Sequence, residues 1–402
     1  MPDISQSLIK RLTASGPKRI LALDGGGIRG AVTLGFLEAI ESQLADRHDK
    51  AGLIKKKDFR LSQYFDLIGG TSTGAIIAAL LAIGGYTVAE IKTMYRTIGS
   101  KIFSDHNGFN LLGHQIYFNG KYNSQPLKDE LAKFFGDATL GDNTNKTGLC
   151  VIAKRLDTCS TWPVTNNPNS KYFAQNRFYI RDIVRASTAA PSFFEPQIID
   201  VGSGELGVFV DGGMSMMNNP ALQLFLVATL KGFKLQWDSG EDKLLIVSIG
   251  TGRRNKKLLG DKWKNPNLLD IAQCAPEQFM SDAGEMTELM MHFIGRGKGT
   301  LRKIDAEVDD LSDDAINGNK AFSYVRYNVE MIRSELENIG MKELDDAQVT
   351  DLMNMDHPKN VDILLKIGEA AAKSYVKDEH FSPIFDLDET SANVSRLNMV
   401  ES

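Results

Sequence analysis

Cysteine is scarce in this sequence: Cys150, Cys159 and Cys274 are the three in 402 residues, an odd number with no CxxC spacing. That excludes a disulfide framework and a cysteine-built zinc site, and it fits a reducing compartment in which the three serve as small buried hydrophobes. Long apolar runs are missing too. The most apolar stretch, Ala75 to Ile83, falls far short of the roughly 20 residues a membrane span needs, and the leading "MPDISQSLIKRLTASGPKRI" has no signal-peptide core. The expectation is a cytoplasmic protein that meets membranes only peripherally, at their inner face. Neither sign of charge dominates, since 46 Lys and Arg against 51 Asp and Glu leave a net charge of -5. Electrostatics therefore gives no reason to expect a nucleic acid polymer as partner. Histidine is also short, with six residues, so a serine nucleophile here would have few of its usual proton acceptors.

What is present is a repeated strand, glycine break and helix. "KRILALDGGGIRGAVTLGFLEAIESQLADR" opens on an apolar strand, breaks at glycines, and continues with Val32, Leu34, Phe36, Leu37, Ile40 and Leu44 at helical spacing. "YFDLIGG" and "GAIIAALLAI" repeat the unit, the second helix apolar on nearly every side and hence deeply buried. "LCVIAKRL", "FYIRDIV", "GVFVDGG" and "KLLIVSIGTG" read as further strands, and "NPALQLFLVATLKG" as an amphipathic helix. This alternation predicts an α/β fold of three layers, α/β/α, around a mainly parallel sheet, with chemistry at the carboxyl ends of strands.

Beyond Gly252 strand signals thin out and polar helical runs such as "EQFMSDAGEMTELMMHFIG" and "MIRSELENIG" take over. The expected organisation is a core over 18–252 and a mainly helical C-terminal region over 253–402. "DDLSDDAING" lacks the ligand spacing of a calcium loop and reads as a solvated surface loop. The methionine-rich helix face reads as core packing, with a membrane or a second subunit as the other occupants. Arg253, Arg254, Lys256, Lys257, Lys262 and Lys264 read as a solvated loop, with anionic headgroups or a signalling nucleotide as the alternatives.

Three glycine-marked corners carry the chemistry. Gly70, Ser72 and Gly74 form GxSxG between a strand and a helix, where a sharp turn would lift Ser72 out of the sheet at a helix amino end. The plainer reading is a helix cap in a turn. "DGGGIRG" contains GxGxxG at Gly25, Gly27 and Gly30. A dinucleotide fold would need an acidic strand end about 20 residues on, but those positions fall in "ESQLADRHDK", which continues the helix. The other use is an oxyanion hole, with the amides of Gly25, Gly26 and Gly27 converging on one point and Arg29 adding charge or lying at the surface. The third corner is Asp211 with Gly212 and Gly213, either a turn former or a carboxylate at a reactive strand end.

"DGGGIRG", "GTSTG" and "DGG" in this order resemble the signatures of the patatin-like phospholipases, and "RASTAAPSFFEP" and "SIGTG" are similar to further family segments, over about Lys18 to Gly252. The resemblance implies a patatin-like fold and a Ser-Asp dyad without histidine: Ser72 as nucleophile, Asp211 as general base and Gly25 to Gly27 as oxyanion loop. It implies a phospholipid acyl ester as substrate and neither metal nor cofactor. The chain's length and helical C-terminal region also resemble antiphage phospholipase effectors switched on by a cyclic dinucleotide. A homo-oligomer is compatible with this layout. The rival readings are a Ser-His-Asp triad drawing on His292, His357 or His380, a dinucleotide-dependent enzyme, and a catalytically silent binding protein.

Overall fold

Short strands that are apolar throughout need cover on both faces, and the chain supplies it. The computed structural model describes residues 6–103, 109–111, 114–116, 120–142, 145–170, 178–191, 193–202, 204–253, 268–300 and 302–389, with backbone alone for 109–111, 114–116 and 268–277. The strands among them are β1 (Lys18–Leu23), β2 (Leu67–Thr71), β3 (Phe109–Leu111), β4 (His114–Ile116), β5 (Gly148–Arg155), β6 (Ser160–Thr165), β7 (Gln197–Asp200), β8 (Leu206–Asp211), β9 (Leu244–Ile249), β10 (Arg296–Gly297) and β11 (Ser323–Tyr327). The helices up to the middle of the chain are α1 (Gln6–Thr13), α2 (Gly30–Lys50), α3 (Leu61–Tyr64), α4 (Thr73–Ala79), α5 (Val88–Ile102) and α6 (Gln125–Phe135). They are followed by α7 (Ile180–Ser187), α8 (Ala221–Thr229), α9 (Leu268–Ile294), α10 (Arg333–Asn338), α11 (Asp346–Leu352) and α12 (Val361–Tyr375).

Nine of these strands make one sheet in the order β10-β11-β9-β1-β2-β5-β8-β7, with β6 also paired to β5, while β3 and β4 form a separate antiparallel pair. From β10 to β5 every neighbour along that order is parallel. The far edge is not, because β6 and β8 both pair antiparallel with β5, and β7 antiparallel with β8.

Alternation along the strands sorts their side chains into two cores. Leu21, Leu23, Ile68, Val151 and Val247 face one core, shared with α2, α4, α5 and α12. Ile20, Ala22, Leu67, Ile152 and Ile246 face the other, shared with α1 and α8 and with Met291 of α9. The result is the expected three layers. Cys150 joins the second core, but Cys159 is exposed at the turn between β5 and β6, contrary to the expectation that the cysteines are buried. The side chain of Cys274 lies outside the described residues.

Two readings change. "FYIRDIV" is not a strand: Ile180, Ile183 and Val184 are buried on one face of α7. Its aromatic and β-branched content favours a strand, but their spacing is helical, and burial of that stripe prevails. The C-terminal region, although mainly helical, is continuous with the core. Its β11 pairs parallel with β9 inside the main sheet, and α12 crosses α2 closely, a Cβ on Gly35 falling 2.2 Å from the Gly368 carbonyl carbon. The sheet therefore runs across the change of texture at Gly252.

Candidate active site

The corner between β2 and α4 holds Ser72 at φ 55° and ψ -124°, a left-side conformation that side chains other than glycine rarely adopt. Two close approaches impose it. A Cβ on Gly70 would lie 2.2 Å from the Gly74 carbonyl, and one on Gly74 would lie 2.3 Å from the carbonyl oxygen of Leu23. The Ser72 amide donates to the hydroxyl of Ser187 at 2.9 Å, which donates onward to the Ile152 carbonyl at 2.6 Å. The backbone on both sides of the serine is thereby held.

Asp211 reaches Ser72 by a route that differs from the parallel-sheet expectation. Its strand runs antiparallel to β5 and overlaps it only at Ala153, Lys154 and Arg155, opposite Asp211, Val210 and Phe209. So β8 enters from beyond the carboxyl edge of β5 and stops at the level where β2 ends, Thr71 being paired with Ile152. There the Ser72 hydroxyl and the Asp211 carboxylate face one another across the cleft, near enough for the hydroxyl to favour the ionised carboxylate. The carboxylate accepts from the Gly213 amide at 2.7 Å, while the Asp211 amide donates to the Ala189 carbonyl at 3.0 Å. Burial pushes this carboxyl up to about 6, an effect limited by the Ser72 hydroxyl, the Gly213 amide and the charge of Arg185. The adjoining Gly212 is pressed against Ile152, whose carbonyl oxygen would lie 2.4 Å from an added Cβ.

The first glycine loop packs directly on this pair. A Cβ on Gly25 would lie 3.1 Å from the Cβ of Ser72, and one on Gly26 would meet Thr251. Gly27, at φ 59°, lies beneath the Met355 carbonyl. One of the three expected amide donors is already engaged, because Gly25 donates to the Asn218 carbonyl at 3.1 Å. The amides of Gly26 and Gly27 have no partner among the described residues. Arg29 is buried rather than superficial, and it lines the cleft. Gly30 lets Tyr95 approach, and Tyr95 donates to the Gly27 carbonyl at 2.6 Å while bonding Thr73 at 2.8 Å. Tyr95 thus ties two corners together, a role its place in an ordinary amphipathic helix did not signal.

Behind the loop, Arg326 of β11 clamps Asp24 with two hydrogen bonds of 2.9 and 2.7 Å and also meets Ser248 and Glu288. Glu288 in turn pairs with Arg302 at 2.6 Å, so two carboxylates hold Arg326 firmly in its charged form. Arg253 ion-pairs with Glu330, while Arg254, Lys256, Lys257, Lys262 and Lys264 lie outside the described residues.

Ser72 and Asp211 open into a cleft of about 800 Å³. Its lining includes the apolar Ile98, Ile102, Leu127, Phe193 and Phe194 and the charged Arg253, Glu288, Arg302 and Arg326. Among the described residues no histidine lines it. His292 bonds the Asp310 carbonyl, His357 pairs with Asp351, and His380 bonds Tyr327. Where a dinucleotide site would need its acidic strand end, the chain is inside α2. No cluster of metal-ligating side chains occurs among the described residues, and no helix there is long and apolar enough to cross a membrane.

The segment that sequence reasoning undervalued is "RASTAA". It supplies Arg185 near Asp211, Ser187 to the Ser72 amide and Ala189 to the Asp211 amide. Its likeness to a family segment was the available signal.

Comparison with known proteins agrees with this arrangement. Patatin-17 of Solanum cardiophyllum is 30% identical over 252 residues, 58% of this chain and 60% of its own. A cUMP-AMP-activated phospholipase of Escherichia coli is 32% identical over 238 residues, covering 58% of this chain and 64% of that protein. A cGAMP-activated phospholipase of Escherichia coli strain TW11681 is 30% identical over 239 residues, again 58% of this chain and 62% of the relative. The chain thus spans less than two thirds of the length of these relatives. A model of the patatin-like phospholipases matches residues 21–225, half of the chain and all three corners; with Ser72, Asp211 and the glycine loop brought together, the chain belongs to the patatin-like phospholipase family.

Proposed function

We propose that this chain is a lipid acyl hydrolase of phospholipase A type, cleaving carboxylic esters of membrane phospholipids through Ser72 and Asp211. The observation that carries the reading is the meeting of Ser72 with a buried Asp211 beside the amides of Gly26 and Gly27, which have no partner among the described residues. Asp211 takes the Ser72 proton as Oγ attacks the ester carbonyl, and the amides of Gly26 and Gly27 meet the negative oxygen. The proton then passes to the departing alcohol, leaving an acyl-enzyme. Water repeats the sequence, giving its proton to Asp211 and releasing the fatty acid. The apolar lining of Ile98, Ile102, Leu127, Phe193 and Phe194 suits the acyl chain.

Peripheral contact with a membrane is supported by exposed apolar residues near the cleft. Met214 and Met216 follow the Asp211 corner, and Phe279 stands exposed beside Met280, which lines the cleft. Activation by a cyclic dinucleotide, in antiviral defence, is supported by the two Escherichia coli relatives named for such activation.

The test is hydrolysis of defined phospholipid vesicles by the wild type and Ser72→Ala, each with and without a panel of cyclic dinucleotides. Fatty acid release by the wild type alone supports the reading, and stimulation by one dinucleotide supports the switch. If Ser72 reacts with a fluorophosphonate yet no vesicle is hydrolysed under any condition, the substrate is another acyl ester. Replacement of His292, His357 and His380 together should leave the labelling rate within about threefold of wild type, since a general base contributes 10²–10⁴-fold; its collapse in a folded variant would restore the triad.

A further inference from the structure

Arg185, in the last turn of α7, is 1% exposed, and no carboxylate among the described residues pairs with it. One guanidinium nitrogen, Nη2, donates to the backbone carbonyl of Glu195 at 3.0 Å, and the group stands 5.4 Å from the ring centre of Phe194. Its Nε and Nη1 have no hydrogen-bond partner among the described residues. The Glu195 carboxylate is turned to Ser124 at 2.5 Å and Lys128 at 3.1 Å. A cation taken out of water without a counter-ion is strongly unfavourable, so a nearby developing or standing negative charge gains much from it. The carboxylates within its field are Glu195 and Asp211.

We propose that Arg185 is a positioning residue of the dyad: the fixed positive charge that keeps the buried Asp211 carboxylate ionised and able to accept the Ser72 proton. The backbone makes the placement rigid, since the last turn of α7 carries Arg185 and Ser187, which holds Ser72, and two residues beyond it Ala189 holds Asp211. The groups that face Asp211 are Ser72 from the start of α4, the Gly213 amide of its own turn, and Arg185 from α7. The cations of β5 are occupied elsewhere, Lys154 with the Cys159 carbonyl and Arg155 with Asp157 and Glu205. Burial works against an ionised Asp211; the Ser72 hydroxyl and the Gly213 amide oppose it, and Arg185 adds positive charge to them. Without that charge burial would be opposed less, and a smaller fraction of the carboxyl would be ionised and able to take the Ser72 proton.

The inference rests on the hydrolase reading only in taking Ser72 as nucleophile, so its test needs no phospholipid. A fluorophosphonate is attacked by Ser72 Oγ, an O–P bond forming as the P–F bond breaks, while Asp211 takes the hydroxyl proton. The labelling rate is measured against pH for the wild type, R185Q and R185K, with folding checked by circular dichroism. R185Q should move the acid limb upward by about one pH unit and converge on the wild-type rate at high pH, whereas R185K should keep the wild-type limb. A folded R185Q with an unmoved limb overturns the proposal, as does an R185K displaced as far as R185Q. Should R185Q fail to fold, the R185K limb alone decides: retention supports the role and displacement refutes it. A wild type that is not labelled at any pH strikes the hydrolase reading itself.

Discussion

Ser72 and Asp211 meet at one cleft although the strands that lead to them run in opposite directions. The antiparallel β8 ends where the parallel β2 ends because it overlaps β5 at only three residues.

The elbow is strained by its side chain. At φ 55° a residue with a Cβ costs about 1–3 kcal/mol, and glycine escapes the cost. Glycine loses about 0.4–1 kcal/mol through its looser unfolded chain. Ser72→Gly should therefore be more stable than Ser72→Ala by about 1 kcal/mol, both being inert to fluorophosphonate. Equal denaturant midpoints would show that the turn is relaxed.

Asp211 is kept ionised at the expense of stability. Burial holds its carboxyl near 6, above the value of about 4 in the unfolded chain. The folded state thus binds the extra proton between those limits, and stability falls as pH rises from 4 to 6. Asp211→Asn removes this penalty, so the variant should gain up to about 3 kcal/mol over wild type above pH 7 and nothing below pH 4, while losing labelling. A variant less stable than wild type at pH 8 would contradict this.

The flanking glycines are required by contact with backbone, which cannot turn aside. Gly70→Ala and Gly74→Ala place a methyl 2.2–2.3 Å from carbonyl groups. Each should cost about 3 kcal/mol or more and appear as loss of soluble protein or a fall in melting temperature. Near-wild-type melting in either would mean that the corner opens readily.

The clamp behind the glycine loop is a buried ion pair. Arg326→Met takes from the buried Asp24 its ion-pair partner and should cost about 3–5 kcal/mol, whereas Asp24→Asn leaves Arg326 with Glu288 and should cost less. The double variant should recover part of that loss, which a double-mutant cycle in urea measures directly. Strict additivity would show that the two residues act independently.

Much of the site was legible because its constraints are local. GxSxG, "DGGGIRG" and "DGG" name residues whose backbones must turn sharply or touch other backbone, and that requirement is written in the lack of a Cβ. The two-faced burial of β1, β2 and β9 was equally local, since consecutive residues in each, on both faces, are apolar or glycine. What the string alone determined was therefore which residues stand at the corners and that a sheet covered on both sides presents them.

Only the tertiary structure decided how the corners meet. Strand direction is set by hydrogen bonds to distant neighbours, so nothing within "GVFVDGG" states that β8 runs against β5. The same holds for "FYIRDIV", whose helical stripe prevailed through packing, and for β11, which joined the sheet from a region of helical texture. Whether the Gly25 amide is free depended on Asn218, and whether Arg185 is solvated depended on what folds over it. Burial and partnership are properties of the assembled chain, and they separate a serine in a turn from a serine beside an acceptor.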